Sequence, residues 1–313
     1  MKNKIFYAII AIATITACTG NKKEGVNTII TQSDKKTEFS LPQIPQNIVQ
    51  PEARASYFAE HFWDNLNLND TTRINEKEFV EKNFTNYIVA LSYTKQYEAE
   101  RYIKSFIRKM EGSARWQKVF LKTAEKYLYN AESPLLNEEL YIPFAQAALM
   151  SQNTTEREFI RYNYQLEVAQ KNRPGKRAGN FEYITSDGKK SELYKTAGKQ
   201  LLVIFHDPLC ENCQNIMNGL INDYTLHRLV QAKEVTVLLV YTEGDKNTWE
   251  EHKNKYPKEW ISAFDKNESI KDKRIYELRA MPSLYLLDTE KNVILKDALP
   301  QVVMNRLQGY AGE

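Results

Sequence analysis

The chain has 313 residues, 43 basic and 40 acidic, with 42% hydrophobic, a length that accommodates about two domains. A net charge of +3 offers no electrostatic footing for nucleic acid or for a polybasic membrane patch, so neither is expected as a partner surface. With only three cysteines, each calls for a specific role.

The first of them ends an N-terminal pattern. Met1-Lys2-Asn3-Lys4 is basic, Ile5 to Ile15 is apolar, and Ile15-Thr16-Ala17-Cys18 is a small-residue site that stops at cysteine. The apolar stretch is shorter than the roughly 20 residues that a membrane-spanning helix needs. The pattern resembles a bacterial lipoprotein signal. That resemblance implies removal of residues 1–17, lipidation of Cys18 as the first mature residue, and a protein held to the cell envelope by its lipid, facing the periplasm. An uncleaved anchor, or an ordinary secretory signal with a spare cysteine, is the alternative. Residues 18–40 are polar and poor in large apolar groups, as suits a flexible tether.

From 41 to 170 the pattern turns helical. Ala55, Phe58, Phe62 and Leu66 recur at three and four residues, as do Ala99, Ile103, Phe106 and Met110, and again Trp116, Phe120, Ala124 and Leu128. Asn75 with Glu78 is placed to cap a helix carrying Phe79, Phe84 and Leu91, and Pro134 with Asn137 interrupts the next pair. Five or six antiparallel helices in an all-α bundle are predicted, their aromatics mostly core. This region holds one histidine, His61, and no cysteine pair. A substrate- or partner-binding module is the expectation for it.

Arg173-Pro174-Gly175 reads as a linker, and residues 174–313 as an α/β region, so the whole chain is α+β. Strands are predicted over 181–187, 201–205 and 235–241, with a further pair around 284–296. Directly after Leu201-Leu202-Val203-Ile204-Phe205 comes Cys210-Glu211-Asn212-Cys213, followed by Met217, Leu220 and Tyr224 at helical spacing. Strand, short loop, Cys-x-x-Cys and helix is the expected order. It places Cys210 at a helix N-terminus, where unpaired N–H groups and the dipole favour thiolate over thiol.

A zinc site needs about four ligands, and with Cys18 spoken for only Cys210 and Cys213 remain; His206 is expected to pack or to face solvent. Gln214 stands where haem attachment needs histidine. No metal and no cofactor beyond a redox-active disulfide is therefore expected.

Ala280-Met281-Pro282-Ser283 opens the strand-like Leu284-Tyr285-Leu286-Leu287, and a proline is tolerated at a strand entrance. Cysteine pair, strand order and this proline together resemble the thioredoxin superfamily, most of all the TlpA-like disulfide reductases, over roughly the last 140 residues. The resemblance implies that Pro282 is the cis-proline facing the disulfide, that Met281 and Pro282 hold substrate peptide, that protein thiols or disulfides are the substrates, and that a membrane reductant recharges the pair. Two positions depart from it. Leu209 replaces a frequent tryptophan before the first cysteine, and Ile204 stands where thioredoxin has a buried carboxylate, which leaves proton transfer at Cys213 unassigned. Asp207, beside Pro208, fits a turn.

Glu211 and Asn212 tune the pair, the charge of Glu211 disfavouring ionisation of its neighbour; a reductase or isomerase poise is expected. Segments around Pro51–Tyr57, His61–Asp64 and Glu125–Pro134 resemble a helical domain of unknown function that precedes thioredoxin-like domains. The competing reading is a binding or scaffold lipoprotein with a structural disulfide.

Overall fold

The computed structural model describes residues 40–310; Cys18, the signal expected at 1–17 and all but the last residue of the expected tether lie outside them. The helical region begins with α1 (Pro51–His61), whose proline stands at the start of the first turn, where its missing N–H costs nothing. It continues through α2 (Lys77–Ser92), α3 (Gln96–Lys109), α4 (Ala114–Ala124), α5 (Glu138–Met150) and α6 (Glu156–Gln170). A π-helical turn, Glu125–Tyr129, extends α4. Its core is aromatic. Trp63 stacks on Phe106 with ring centres 4.8 Å apart and meets Phe120 edge-on at 4.8 Å, geometries that add to the burial of large rings.

Two local expectations need correction here. Asn75 does not cap α2: it ends a short 3-10 turn, Thr72–Asn75, and Glu76 takes the cap position without a side-chain bond. The run through Phe62 and Leu66 is not one helix either. α1 stops at His61, whose Nδ1 lies 2.6 Å from Asp64 Oδ2, and tight turns then carry Phe62 and Leu66 into the core. Pro134 and Asn137 lie in the break before α5, as expected, and Asn137 also caps α5, accepting from the Leu140 N–H at 3.1 Å.

The second region is built on β1 (Glu182–Thr185), β2 (Lys190–Glu192), β3 (Gln200–His206), β4 (Val235–Tyr241), β5 (Ile261–Phe264), β6 (Ser283–Leu287) and β7 (Val293–Leu295). The sheet order is β2-β1-β5-β4-β3-β6-β7. Helices α7 (Glu211–Ile221), α8 (Tyr224–Gln231), α9 (Lys246–His252), α10 (Ser269–Asp272) and α11 (Pro300–Tyr310) complete it. The central strand β3 pairs in parallel with β4 and antiparallel with β6. All seven of its residues are buried, which is why it reads as a continuous apolar run.

Side chains alternate across that strand. Leu201, Val203 and Phe205 join Tyr276 and Tyr285 in one layer, while Leu202 and Ile204 join Met217, Leu220 and Leu307 in the other. Strands β2 and β5 have no counterpart among the expected strands, each being only three or four residues long and without a usable period. Tyr224 is also corrected: α7 ends at Ile221, and Tyr224 begins α8 with 77% exposure rather than extending the buried face of α7.

Candidate active site

The buried, β-branched run of β3 ends at His206, and the chain then turns sharply. Asp207 makes the turn: its Oδ1 accepts from the Leu209 N–H at 2.9 Å and its carbonyl from the Cys210 N–H at 3.2 Å. Cys210 is the N-cap residue of α7, half-buried and with extended backbone. Gln214 locks this corner, its side chain donating to the Pro208 carbonyl at 2.7 Å. Glu211 and Asn212 are exposed on the first turn, whereas Cys213 is 1% exposed. Both cysteines are thiols.

That difference in exposure divides the chemistry. Burial pushes the Cys213 thiol up to about 12; a backbone hydrogen bond at Asp207 opposes this, and the neighbouring Cys210 adds to it. A half-exposed cysteine at a helix N-terminus with a protonated, shielded one a turn behind it is an arrangement in which the outer sulfur meets a substrate first.

The Met281–Pro282 peptide bond is cis, and the loop carrying it lies against the cysteine motif. Asn212 Nδ2 donates to the Met281 carbonyl at 2.9 Å across 69 residues of sequence. Ser283, the first residue of β6, donates from Oγ to Asp297 Oδ1 at 2.6 Å. The structure thus brings Cys210, Asn212, Cys213, Met281 and Pro282 to one corner, with Glu211 beside them on the solvent side.

Two further groups stand at this corner, and of them only Tyr256 is without a signal in the sequence. His206 is 1% exposed, its Nδ1 is 3.4 Å from Tyr256 Oη, and its Nε2 has no hydrogen-bond partner among the described residues. Burial, with a smaller contribution from His252, drives its pKa down to about 3, so the ring is neutral. Tyr256 is pushed up to about 12 by burial, with Cys213 and Asp207 adding to it. Tyr256 follows α9 in an irregular stretch and carries no local signal; His206 was visible, and of the two expectations for it, packing is what the structure shows. Ile204 is fully buried in the apolar layer beneath α7, so no carboxylate stands at that position.

Among the described residues no three His, Cys, Asp or Glu side chains cluster so as to hold a metal ion, and no helix is long and apolar enough to cross a membrane.

Residues 17–172 match a domain of unknown function (DUF5106), and residues 198–293 match a thioredoxin-like family. No protein of curated function matches the chain. Among solved structures, a thioredoxin-like protein from Bacteroides caccae is 37% identical with a TM-score of 0.81, over 87% of this chain and 98% of its own. The C-terminal domain of an uncharacterized protein from Bacteroides fragilis is 38% identical, covering 44% of this chain and 98% of its own, with a TM-score of 0.43. A domain of a possible thiol-disulfide isomerase from Cytophaga hutchinsonii is 26% identical over 45% of this chain and 94% of its own, with a TM-score of 0.39. Identity and fold shared across nearly the full length of the Bacteroides caccae protein, helical region included, show that the chain belongs to the thioredoxin-like proteins.

Proposed function

We propose that the protein is a thiol:disulfide oxidoreductase of the TlpA-like kind, working with reductase or isomerase poise at the cell envelope, where a lipid on Cys18 tethers it. The Cys210 thiolate attacks one sulfur of a substrate disulfide; a Cys210–substrate bond forms, the substrate S–S bond breaks, and the leaving sulfur departs as thiolate. Cys213, once deprotonated, attacks Cys210 Sγ, releasing the second substrate thiolate and leaving a Cys210–Cys213 disulfide. A dithiol reductant, taken to be a membrane protein, returns two electrons to that disulfide. Met281 and Pro282 hold the substrate peptide, and protein disulfides are the substrates.

The observation that carries this reading is the hydrogen bond from Asn212 to the Met281 carbonyl, which seats the proline loop beside a half-exposed Cys210 while Cys213 stays buried. The test is reduction of insulin with dithiothreitol as electron donor. Cys210→Ser should abolish the catalysed rate, and Cys213→Ala should accumulate mixed disulfides with protein substrates. Full activity in Cys210→Ser sinks the reading. A pair whose reduction potential lies below about −300 mV points instead to a structural disulfide in a scaffold protein. The tether is tested separately, by loss of palmitate incorporation in Cys18→Ala.

A further inference from the structure

The loop that leads into Pro282 is held from the helical region, residue after residue. Lys171 Nζ donates to the Arg274 carbonyl at 3.2 Å, Asn172 Nδ2 to the Ile275 carbonyl at 2.9 Å, and Tyr164 Oη to Glu277 Oε1 at 2.7 Å. Arg279, two positions before Met281, donates through Nη1 to the Tyr129 carbonyl at 2.7 Å. Its Nη2 lies 2.8 Å from Glu138 Oε1, and its guanidinium carbon 4.3 Å from the centre of the Tyr129 ring. Tyr129 ends the π-helical turn, and Glu138 is the first residue of α5.

The far side of the proline is tied to the same cluster. Ser283 donates to Asp297, whose Oδ2 is 3.4 Å from Arg279 Nη2. Lys296 Nζ sits 2.6 Å from Glu138 Oε2 and donates to the carbonyls of Val168, Ala169 and Lys171 at the end of α6. The four charged side chains are 8 to 14% exposed and balance in sign. Burial works against the charge on Arg279, but Glu138 and Asp297 outweigh it and raise its pKa.

Such a cluster is a poor way merely to glue two regions together. Well-packed apolar residues do that at least as well, because every buried ion carries a desolvation cost. What the guanidinium adds is direction, Nη1 donating to the Tyr129 carbonyl and Nη2 to Asp297, with Glu138 as the charge partner. Here that direction fixes Arg279 on one side of Met281–Pro282 and Ser283 on the other.

We propose that the helical region is a positioning element of the substrate-facing loop: Glu138 and the Tyr129 carbonyl hold Arg279, and through it set where the Met281 backbone stands relative to Cys210. The proposal rests on the oxidoreductase reading for its catalytic consequence, though not for the loop's restraint. Misplacing a substrate-holding backbone by about 1 Å costs up to about a hundredfold in rate, and small disulfides that need no peptide backbone contact escape that loss.

The test compares the full-length wild type with Glu138→Gln, which keeps shape and removes the charge facing Arg279 and Lys296. Amide deuterium exchange of residues 279–285 should quicken by about tenfold or more while β3 and α7 stay protected. KM for insulin should rise about tenfold, with turnover of the small disulfide 5,5′-dithiobis(2-nitrobenzoate) and the reduction potential of the pair unchanged. Arg279→Lys, which preserves charge but loses the fork, carries the same readouts should Glu138→Gln not fold. Unchanged exchange at 279–285 in a folded variant, or equal losses on both disulfides, overturns the proposal. A wild type inactive on both disulfides overturns the oxidoreductase reading instead, and the exchange measurement still decides the restraint.

Discussion

The side-chain amide of Asn212 and the main-chain carbonyl of Met281 are joined by a 2.9 Å hydrogen bond. It ties the first turn of α7 to the loop before β6, and it occupies a backbone acceptor beside Pro282 that an incoming peptide could use.

The carbonyl has a second lone pair, so a peptide pairs there either beside Asn212 or in its place; in the second case Asn212 has to yield it while the Arg279 contacts keep the loop seated. A hydrogen bond contributes about 0.5–1.5 kcal/mol net, so Asn212→Ala should lower KM for insulin by about two- to tenfold, with little change for a small disulfide. Steady-state kinetics on both substrates checks this. An unchanged insulin KM shows that peptides do not displace Asn212.

Alkylation should separate the two thiols. With Cys213 pushed up to about 12, its thiolate fraction at pH 8 is roughly a thousandfold below that of an ordinary cysteine. In the reduced protein, iodoacetamide should therefore label Cys210 long before Cys213, as peptide mass spectrometry would read. Faster labelling of Cys213 contradicts the assignment of Cys210 as nucleophile.

The same burial makes the reduced protein sensitive to alkali. The folded-state pKa of Cys213 is raised above its unfolded value, so its contribution to stability is whole below about pH 9 and is lost as pH climbs toward about 12. Urea unfolding at pH 8 and pH 10.5 should show a steeper loss in wild type than in Cys213→Ala. Parallel slopes would mean the thiol is not shielded in solution.

His206 gives the opposite dependence. Its folded pKa, about 3, is depressed, so its contribution is present above the unfolded value near 6.5 and is lost as pH falls from there toward 3. Between pH 7 and pH 4.5 the wild type should lose up to about 2–3 kcal/mol that His206→Phe does not lose. Thermal unfolding at both pH values decides it; equal losses place the ring in contact with water.

Glu211 adds a negative charge beside the nucleophile on the exposed side of α7. Glu211→Gln should stabilise the Cys210 thiolate, favour the reduced pair and make the potential more oxidising by about 5 to 20 mV. Glutathione equilibration measures it. An unchanged potential removes the electrostatic basis for a reductase poise.

Much of the architecture was legible locally because period and turn chemistry are local properties. The unbroken apolar run 201–205 marked the buried strand β3, the spacing of Met217 and Leu220 marked the inward face of α7, and Pro134 with Asn137 marked the break before α5. A stretch too short to have a period, as in β2 and β5, carries no such mark, and two apolar residues in successive turns, as with Phe62 and Leu66, mimic helical spacing. The cysteine pair and Pro282 stood out individually from their residue types and neighbours. What tertiary structure alone decided is what those residues touch. The bond from Asn212 to Met281 crosses 69 positions, that from Tyr256 to His206 crosses 50, and that from Arg279 to Tyr129 crosses 150. No residue type or spacing encodes such a meeting, because it depends on how the whole sheet and the helical region close around it; the chain determines its elements nearby, and the partners of its charged and catalytic groups only once it has folded.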